Sequence, residues 1–455
     1  MKLRFFIFTG LIFLLFSCKK EEPVEQLVSA LRAPAFPLIT IDGYANGWSC
    51  SDNLYESPVR QQAGRTLSLM GVLRVDSKSY RFMGMEEPGV DSATLLPLRE
   101  PKFPKTAVQK SVSVLPTQTI YDFICGAVDL RVIFTAPLLM DNLDLMARPV
   151  NYVSYEVTSY DDCPHDVEIY LEVGTDNDAM VSGQNANECL ETDNLLLVRR
   201  KKNSFDDARY LYLAAAKNNC SVVIDDDYVS LRSRLGKVTQ GKGHFILGYD
   251  DNYFVQFFGD NLRPFWQCNK DADIIDQFVL ADKEYETVRK QCEAFDRDLM
   301  TKAASVGGKC YAELCALAYR QAVSAHKAVQ SPEGNLLFLS EENYSVGPIN
   351  LTDVAYSSSP LFLLYNVELA KGLLNHIFYC KTYEPEYCTN MSAEASGNIL
   401  ILAAAIASKE GHADMPGNIG TNCRNKQSSW LRMDISETTL TFLSNRYWVW
   451  LLTAN

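Results

Sequence analysis

The chain has 455 residues, a formal net charge of −13 and an apolar fraction of 47%. That apolar content supports a folded protein with a sizeable core rather than a disordered chain. The acidity, with no basic stripe to offset it, excludes a nucleic-acid backbone as partner.

The chain opens MKLRFFIFTGLIFLLFSCKKEEP, in which Lys2 and Arg4 precede an apolar run from Phe5 to Phe16. This run falls short of the roughly 20 residues of a membrane span, and residues 1–17 read as a secretory signal. Ser17-Cys18 at its end resembles a bacterial lipobox, which implies that the Cys18 thiol is lipidated and that the chain meets the membrane through that anchor. Lys19-Lys20-Glu21-Glu22 resembles the acidic export tag of surface lipoproteins. The expected place is therefore the cell envelope, at the outer membrane, with surface exposure as the further step the tag implies. Loss of residues 1–17 removes Lys2 and Arg4 and takes the formal charge from −13 to −15. Residues 18–30 read as a tether.

From 31 to 280 the pattern is strand-like: short β-rich runs separated by turn residues. They include Leu69–Val75, Tyr80–Met83, Leu130–Phe134, Tyr152–Val157, Asp166–Val173, Tyr210–Ala214, Cys220–Ile224, His244–Tyr249 and Tyr253–Phe258. In Val167-Glu168-Ile169-Tyr170-Leu171-Glu172-Val173 the odd positions are apolar, the mark of a sheet with one face in a core. So many strands without intervening helices predict a large antiparallel β-sandwich.

Near Asp282 the period changes. Tyr285, Val288, Cys292, Phe295, Leu299 and Ala303 recur at helical spacing, and Gly307-Gly308 closes that helix. A second helix is expected from about Cys310 to Val329, making an αα-hairpin about the glycines. Ser359-Pro360 reads as the cap and first turn of a third helix, and a fourth begins near Ser396 and closes at Gly411. Residues 412–455 lack a helical period and form an atypical tail. Besides Cys18 there are twelve cysteines with no CxxC, so mostly buried, unpaired thiols are expected. No zinc-ligand spacing occurs, and neither a metal nor a cofactor is expected.

Five collinear segments carry a wider likeness: LRAPAFPLITIDGYANGWSCSDNLYE from Leu31, PTQTIYDF from Pro116, APLLMDNLDLMARPVNYVSYEV from Ala136, FFGDNLRPFW from Phe257 and GGKCYAELCALAYRQAVSAHK from Gly307. Together they resemble the glutaminase A family over about residues 31–411. The resemblance implies an α+β multidomain chain, an N-terminal antiparallel β-sandwich followed by a six-hairpin (α/α) toroid. It also implies hydrolysis of the amide of L-glutamine to glutamate and ammonia. Glycoside hydrolases use the same scaffold, so the fold leaves the substrate open between a small molecule and an oligosaccharide. The recognisable sequence after Asp282 suffices for about four to six helices of ordinary length, where twelve make a toroid. Residues 281–411 are thus expected to form an incomplete toroid, and the chain reads as a truncated or frameshifted copy near residue 411.

The same resemblance marks a site. The family pattern DMPVEESGN appears as Asn390 to Asn398, where Glu394 matches the first carboxylate while Asn390 and Ala395 depart. A second family loop appears as Ser340 to Asp353, where Glu342, Asn343, Gly347 and Asp353 match and Val346, Pro348 and Asn350 depart. Glu394 and Asp353 are the implied catalytic pair, one acid assisting the leaving group and the other activating water. Both are expected on loops just before helices, and a separation of about 6.5–9.5 Å would equally suit an inverting glycosidase. Glu342, Asn343 and Asn398 are the implied substrate-binding residues. Read from the residues alone, Glu341 and Glu342 are solvated charges, His326 is a packed helix residue, and Asp250-Asp251 is a turn. Three readings stay open: a lipid-anchored glutaminase-type hydrolase, a carbohydrate-active hydrolase, and a surface lipoprotein whose β-sandwich binds while its helical half is inactive.

Overall fold

The computed structural model describes residues 31–85, 103–174, 186–201, 209–224, 228–251, 255–267, 272–341, 351–383 and 393–412, apart from 44, 63 and 65. Residues 1–30, with the expected signal, Cys18 and the expected tether, together with Glu342, Asn343, Asn390 and residues 413–455, lie outside the described residues.

Four short strands come first: β1 (Phe36–Thr40), β2 (Asn46–Ser49), β3 (Val59–Arg60) and β4 (Thr66–Leu67), paired in that order as one sheet. Next come β5 (Leu69–Val75), β6 (Lys78–Met83), β7 (Val108–Val114), β8 (Gln118–Cys125) and β9 (Val128–Thr135), then a single helical turn, α1 (Leu143–Met146). The series continues with β10 (Val150–Ser159), β11 (His165–Gly174), β12 (Ala186–Glu191), β13 (Leu195–Lys201), β14 (Arg209–Ala216), β15 (Cys220–Ile224), β16 (Tyr228–Val238) and β17 (Gln240–Asp251). Antiparallel pairing sorts β5 to β17 into two sheets, an eight-stranded one ordered β12-β13-β14-β17-β10-β9-β8-β7 and a five-stranded one ordered β15-β16-β11-β5-β6. Their inner faces meet as a sandwich. Val167, Ile169, Leu171 and Val173 of β11 enter one core with Val153, Tyr155 and Val157 of β10 and Phe245, Leu247 and Tyr249 of β17.

Alternation then has a second consequence. The opposite face of β10 and β17 is also covered, because Val150, Tyr152 and Ile246 pack with Ile274, Phe278, Ala281 and Val288 of a long helical segment, α2 (Ile274–Ser324). Gly248 of β17 belongs to that face, and a Cβ there would lie 2.5 Å from the Phe278 ring and 2.9 Å from the Pro149 carbonyl oxygen. Glycine is what lets the ring seat. The eight-stranded sheet is therefore apolar on both sides near its centre and serves as a wall between two cores. The outer side of β11 is less simple than sequence alternation suggests: Glu168, Tyr170 and Glu172 are buried there as well, with Tyr170 beside Met70 and Val72 and Arg232 over its ring at 5.0 Å.

After β17 come a small hairpin, β18 (Val255–Phe257) and β19 (Asp260–Leu262), and then α2. As one straight helix α2 would place Phe295 and Tyr319 about 36 Å apart at 1.5 Å per residue. Their rings lie 5.1 Å apart, so the segment folds back on itself at Gly308, whose φ of 78° and ψ of −175° leave the helical region. This is the expected αα-hairpin about the glycines. Its second arm ends sooner than expected, at Ser324. His326–Gln330 is a strand, β20, paired antiparallel with β21 (Leu336–Ser340), because the Pro332 to Gly334 turn reverses the chain and lets the apolar Leu336–Leu339 run find a partner.

The remaining helices are α3 (Thr352–Tyr365), α4 (Val367–Tyr383) and α5 (Ala393–Glu410). Ser359-Pro360 does not start a helix; Pro360 sits inside α3. Proline withdraws the N–H that would reach the Tyr356 carbonyl, and the Ser359 hydroxyl donates to that oxygen instead at 2.7 Å. Likewise α5 begins at Ala393 rather than near Ser396, so neither Ser396 nor Asn398 caps it. Asp250 and Asp251 lie in β17 rather than in a turn. The expectation of mostly buried thiols also fails. Of the eight described cysteines, all free, only Cys125 and Cys292 are buried, while Cys50, Cys163, Cys189 and Cys310 are exposed.

Candidate active site at the helical mouth

Asp353 lies in the first turn of α3 and Glu394 in the first turn of α5. Both are exposed, and both are within their helices rather than on the loops before them. The geometry places them at one end. α4 starts a single residue after α3 stops, and Lys371 in its second turn bonds Glu410, the last residue of α5, at 3.0 Å. α5 therefore ends beside the corner at which α3 ends. Because α3 and α5 pack side by side, they run in the same direction and their N-terminal turns share the far end. Leu351 precedes α3 without any side-chain cap, which leaves the first-turn N–H groups and the positive end of the helix dipole facing outward beside Asp353. Asn398, half-buried, is one helical turn after Glu394 on the same face of α5. Asp353, Glu394 and Asn398 thus lie toward the same end of the helix pair α3 and α5. Among the described residues no group of His, Cys, Asp and Glu is arranged to hold a metal ion.

Two buried polar clusters join the helical half to the sandwich. Asp296, on the first arm of α2, accepts hydrogen bonds from the Thr117 backbone N–H at 2.8 Å and its hydroxyl at 2.9 Å. Arg320, on the second arm and wholly buried, donates to the carbonyls of Pro116 at 2.9 Å and Leu115 at 3.3 Å, and to the Thr40 hydroxyl at 3.3 Å. Both arms of the hairpin thereby grip the turn between β7 and β8. Burial pushes the Asp296 carboxyl up to about 7 and brings the Arg320 guanidinium down to about 10.

The second cluster sits where β20 and β21 meet the β1–β2 turn. Lys327 Nζ lies 3.5 Å from Asp42 Oδ2 and 3.3 Å from Glu341 Oε1, and all three side chains are almost entirely buried. Glu341 is therefore not the solvated charge its sequence suggests. Burial, followed by the neighbouring Asp42 charge, pushes its carboxyl up to about 8 against the opposing effect of Lys327. His326 is packed, as expected, though on a strand, with its ring stacked on Phe338 at 4.6 Å.

Two of these buried charges carried a legible signal. Asp296 follows Cys292 by four residues and Arg320 follows Ala316 by four, so each occupies the buried stripe of its own arm. A charge on an apolar stripe implies a partner in the core. For Asp42, Lys327 and Glu341 no such local signal exists, since their association depends on three separate elements.

Comparison with known protein families gives three matches. The sequence profile of the Glutaminase A six helical-hairpin domain matches residues 308–390. The Domain of unknown function (DUF4964) matches residues 12–96, and the Domain of unknown function (DUF5127) matches residues 117–194 and 202–302. Glutaminase A of Aspergillus oryzae (strain ATCC 42149 / RIB 40) is 22% identical over 457 residues, covering 84% of this chain and 64% of that protein. The chain thus spans just under two thirds of that relative's length. Among solved structures, a protein described as "Putative kojibiose phosphorylase from human microbiome" has 10% identity and a TM-score of 0.43, covering 76% of this chain and 46% of the other. A family GH92 alpha-mannosidase from Bacteroides thetaiotaomicron has 9% identity and a TM-score of 0.36, covering 76% and 47%. At these scores neither structural likeness bears on function.

Proposed function

We propose, from the premise that this chain resembles the glutaminase A family, that the mouth formed by the first turns of α3 and α5 is a hydrolytic site acting on the side-chain amide of L-glutamine. The observation that carries the reading is the placing of Asp353 and Glu394 at equivalent positions of two helices that run in the same direction. Amide hydrolysis adds water oxygen to the carbonyl carbon, breaks the C–N bond and releases ammonia after proton transfer to the leaving nitrogen. One acid takes the proton from water while the other passes a proton to the leaving nitrogen, a division of labour two acids can perform without a cofactor. Glu394 and Asp353 take those roles, and Asn398 supplies an amide able to donate and accept toward the substrate. Glu342 and Asn343 join them in substrate binding on the strength of the sequence resemblance.

We also propose that the chain is exported and anchored in the outer membrane through a lipid on Cys18. Incorporation of labelled palmitate that is lost in Cys18→Ser would support the anchor; equal labelling of both proteins would overturn it.

The test of the site is ammonia release from L-glutamine by the purified chain, with Glu394→Gln and Asp353→Asn as controls. A general acid or base contributes about 10²–10⁴-fold, so either substitution is expected to lower turnover by at least about 10²-fold. Turnover unchanged in Glu394→Gln would remove that residue from the mechanism. A second reading, a surface lipoprotein whose β-sandwich binds without turnover, draws support from Ala395, which stands where the family pattern has its second carboxylate. Retention of a glycan or amino-acid ligand with no ammonia or reducing sugar released would favour it, and reducing-sugar release would favour a carbohydrate-active hydrolase.

A further inference from the structure

Leu31 meets the α2 hairpin close to its bend. The Leu31 backbone N–H donates to Glu313 Oε2 at 2.9 Å, and Glu313 is a buried residue in the first turns of the second arm, shortly after Gly308. The bond fixes the point at which the N-terminal part of the chain joins the folded body. Fully extended, the chain from Cys18 to Leu31 spans at most about 45 Å. A compact body of about 380 residues is about 55 Å across. A lipid on Cys18 therefore cannot reach round to the far side, and the surface that holds it faces the side of the α2 bend.

The bend itself is apolar and open to solvent. Val306, at the end of the first arm, is 81% exposed, and Tyr311 and Leu314 of the second arm are 46% and 54% exposed. Tyr311 and Leu314 share a helix face that Ala318, also exposed, continues. The Tyr311 ring lies over Gly307, where a Cβ would stand 2.5 Å from it, so the apolar residues of the two arms adjoin. The charge changes sign there too. Residues 299–312 contain Lys302 and Lys309 and neither Asp nor Glu, in a chain of formal charge −13. Lys302 is exposed and bridges to Asp298 at 2.7 Å. Apolar side chains at a tip, a tyrosine with its polar end outward and lysines beside them suit the boundary between lipid headgroups and acyl chains. The core of a protein–protein interface is, by contrast, depleted of lysine. Among the described residues no helix is long and apolar enough to cross a membrane, so such a contact is confined to the surface.

We propose that the α2 bend, through Val306, Tyr311 and Leu314 with Lys302 and Lys309 beside them, docks on the surface of an anionic phospholipid bilayer. The proposal rests on the lipid anchor at Cys18, which keeps the bend within reach of that surface. A lipid alone limits the distance between body and membrane. A second contact at the bend also sets the orientation of the body above it. The docking surface is independent of the hydrolytic reading, because none of its residues belongs to the first turns of α3 and α5.

The test uses the full chain, expressed with its lipid and reconstituted in vesicles of phosphatidylethanolamine and phosphatidylglycerol. Val306→Trp is the reporter, because that side chain projects into solvent. Its emission is expected to shift to the blue of the same variant made soluble by Cys18→Ser. Brominated acyl chains are expected to quench it beyond the quenching of the five native tryptophans in the wild type. Adding Leu314→Asp should abolish both effects while the protein still floats with the vesicles. Flotation separates the two claims: a protein that floats with its reporter unquenched keeps the anchor and overturns the docking, whereas one that does not float loses the anchor and the docking with it. A Cys18→Ser chain that self-associates, and that Leu314→Asp renders monomeric, would assign the patch to a second copy and equally overturn the proposal.

Discussion

Replacing Asp296 by Asn isolates the buried acid that links the α2 hairpin to the β7–β8 turn. In the folded protein its carboxyl is pushed up to about 7 from a reference of 3.8. A raised acid is fully stabilising below its unfolded value, and that contribution is lost as pH rises through the folded value. Three pH units at about 1.4 kcal/mol each give a penalty on the order of 4 kcal/mol above pH 7. The wild-type profile alone would hide it. Glu341 adds a slope of the same sign, while His326 and His376, both brought down to about 4 by burial, gain stability between pH 4 and 6.5. The difference between variant and wild type separates Asp296 from the rest. Asn still accepts from Thr117 through Oδ1, and its unmatched amide hydrogens in place of Oδ2 shift the whole difference curve by about 1–3 kcal/mol without changing its slope. Urea unfolding followed by tryptophan fluorescence at several pH values should show Asp296→Asn gaining about 1.4 kcal/mol per pH unit on the wild type from pH 4 to 7, then levelling. A difference that stays flat over that range would mean Asp296 is ionised in the fold, held by Arg320, and the reasoning would be wrong.

Other substitutions follow from the same packing. Gly248→Val would drive a side chain into the Phe278 ring and should cost about 1–3 kcal/mol in urea unfolding; an unchanged midpoint would show that the helix moves aside freely. Gly308→Ala forces a residue with a Cβ to a φ of 78°, for an expected loss of about 1 kcal/mol, read as a lower Tm. Lys327→Met removes the buried ammonium that lies 3.5 Å from Asp42 and 3.3 Å from Glu341, and a fall of about 3–5 kcal/mol is expected in urea unfolding; stability equal to wild type would show that the cation contributes nothing to the fold. Ser359→Ala removes the hydroxyl that serves the Tyr356 carbonyl before Pro360, with a loss of about 1 kcal/mol measurable by chemical denaturation.

The strands were legible because alternation is a local property: β5 and β15 match the sequence runs residue for residue, and β11 shows its inward face in four odd-numbered residues. The glycine-hinged α2 hairpin was legible for the same reason, since helical period and a break in it are both local. The β20–β21 hairpin was not. Ala325 to Val329 can continue a helix by propensity, and only pairing with Leu336–Ser340, settled by tertiary contact, makes it a strand. Pro360 misled in another way, because its cost inside a helix is offset by a serine one residue earlier. At the site, the resemblance led to Asp353, Glu394 and Asn398, which lie toward one end of α3 and α5. Nothing in the order of residues could show that Asp42, nearly three hundred positions before Lys327 and Glu341, would be their neighbour.

The eight-stranded sheet, apolar on both sides near its centre, has a practical corollary for dissecting the protein. A fragment ending at the last strand of the sandwich would carry Tyr152, Leu197, Tyr212 and Ile246 as a bare greasy surface, since their cover comes from α2. Such a piece would self-associate. A cut after the hairpin only moves the problem, because Leu299, Tyr319 and Val323 of α2 pack in turn against α3, α4 and α5, so any ligand assay meant for the sandwich has to keep the helical half that shields it.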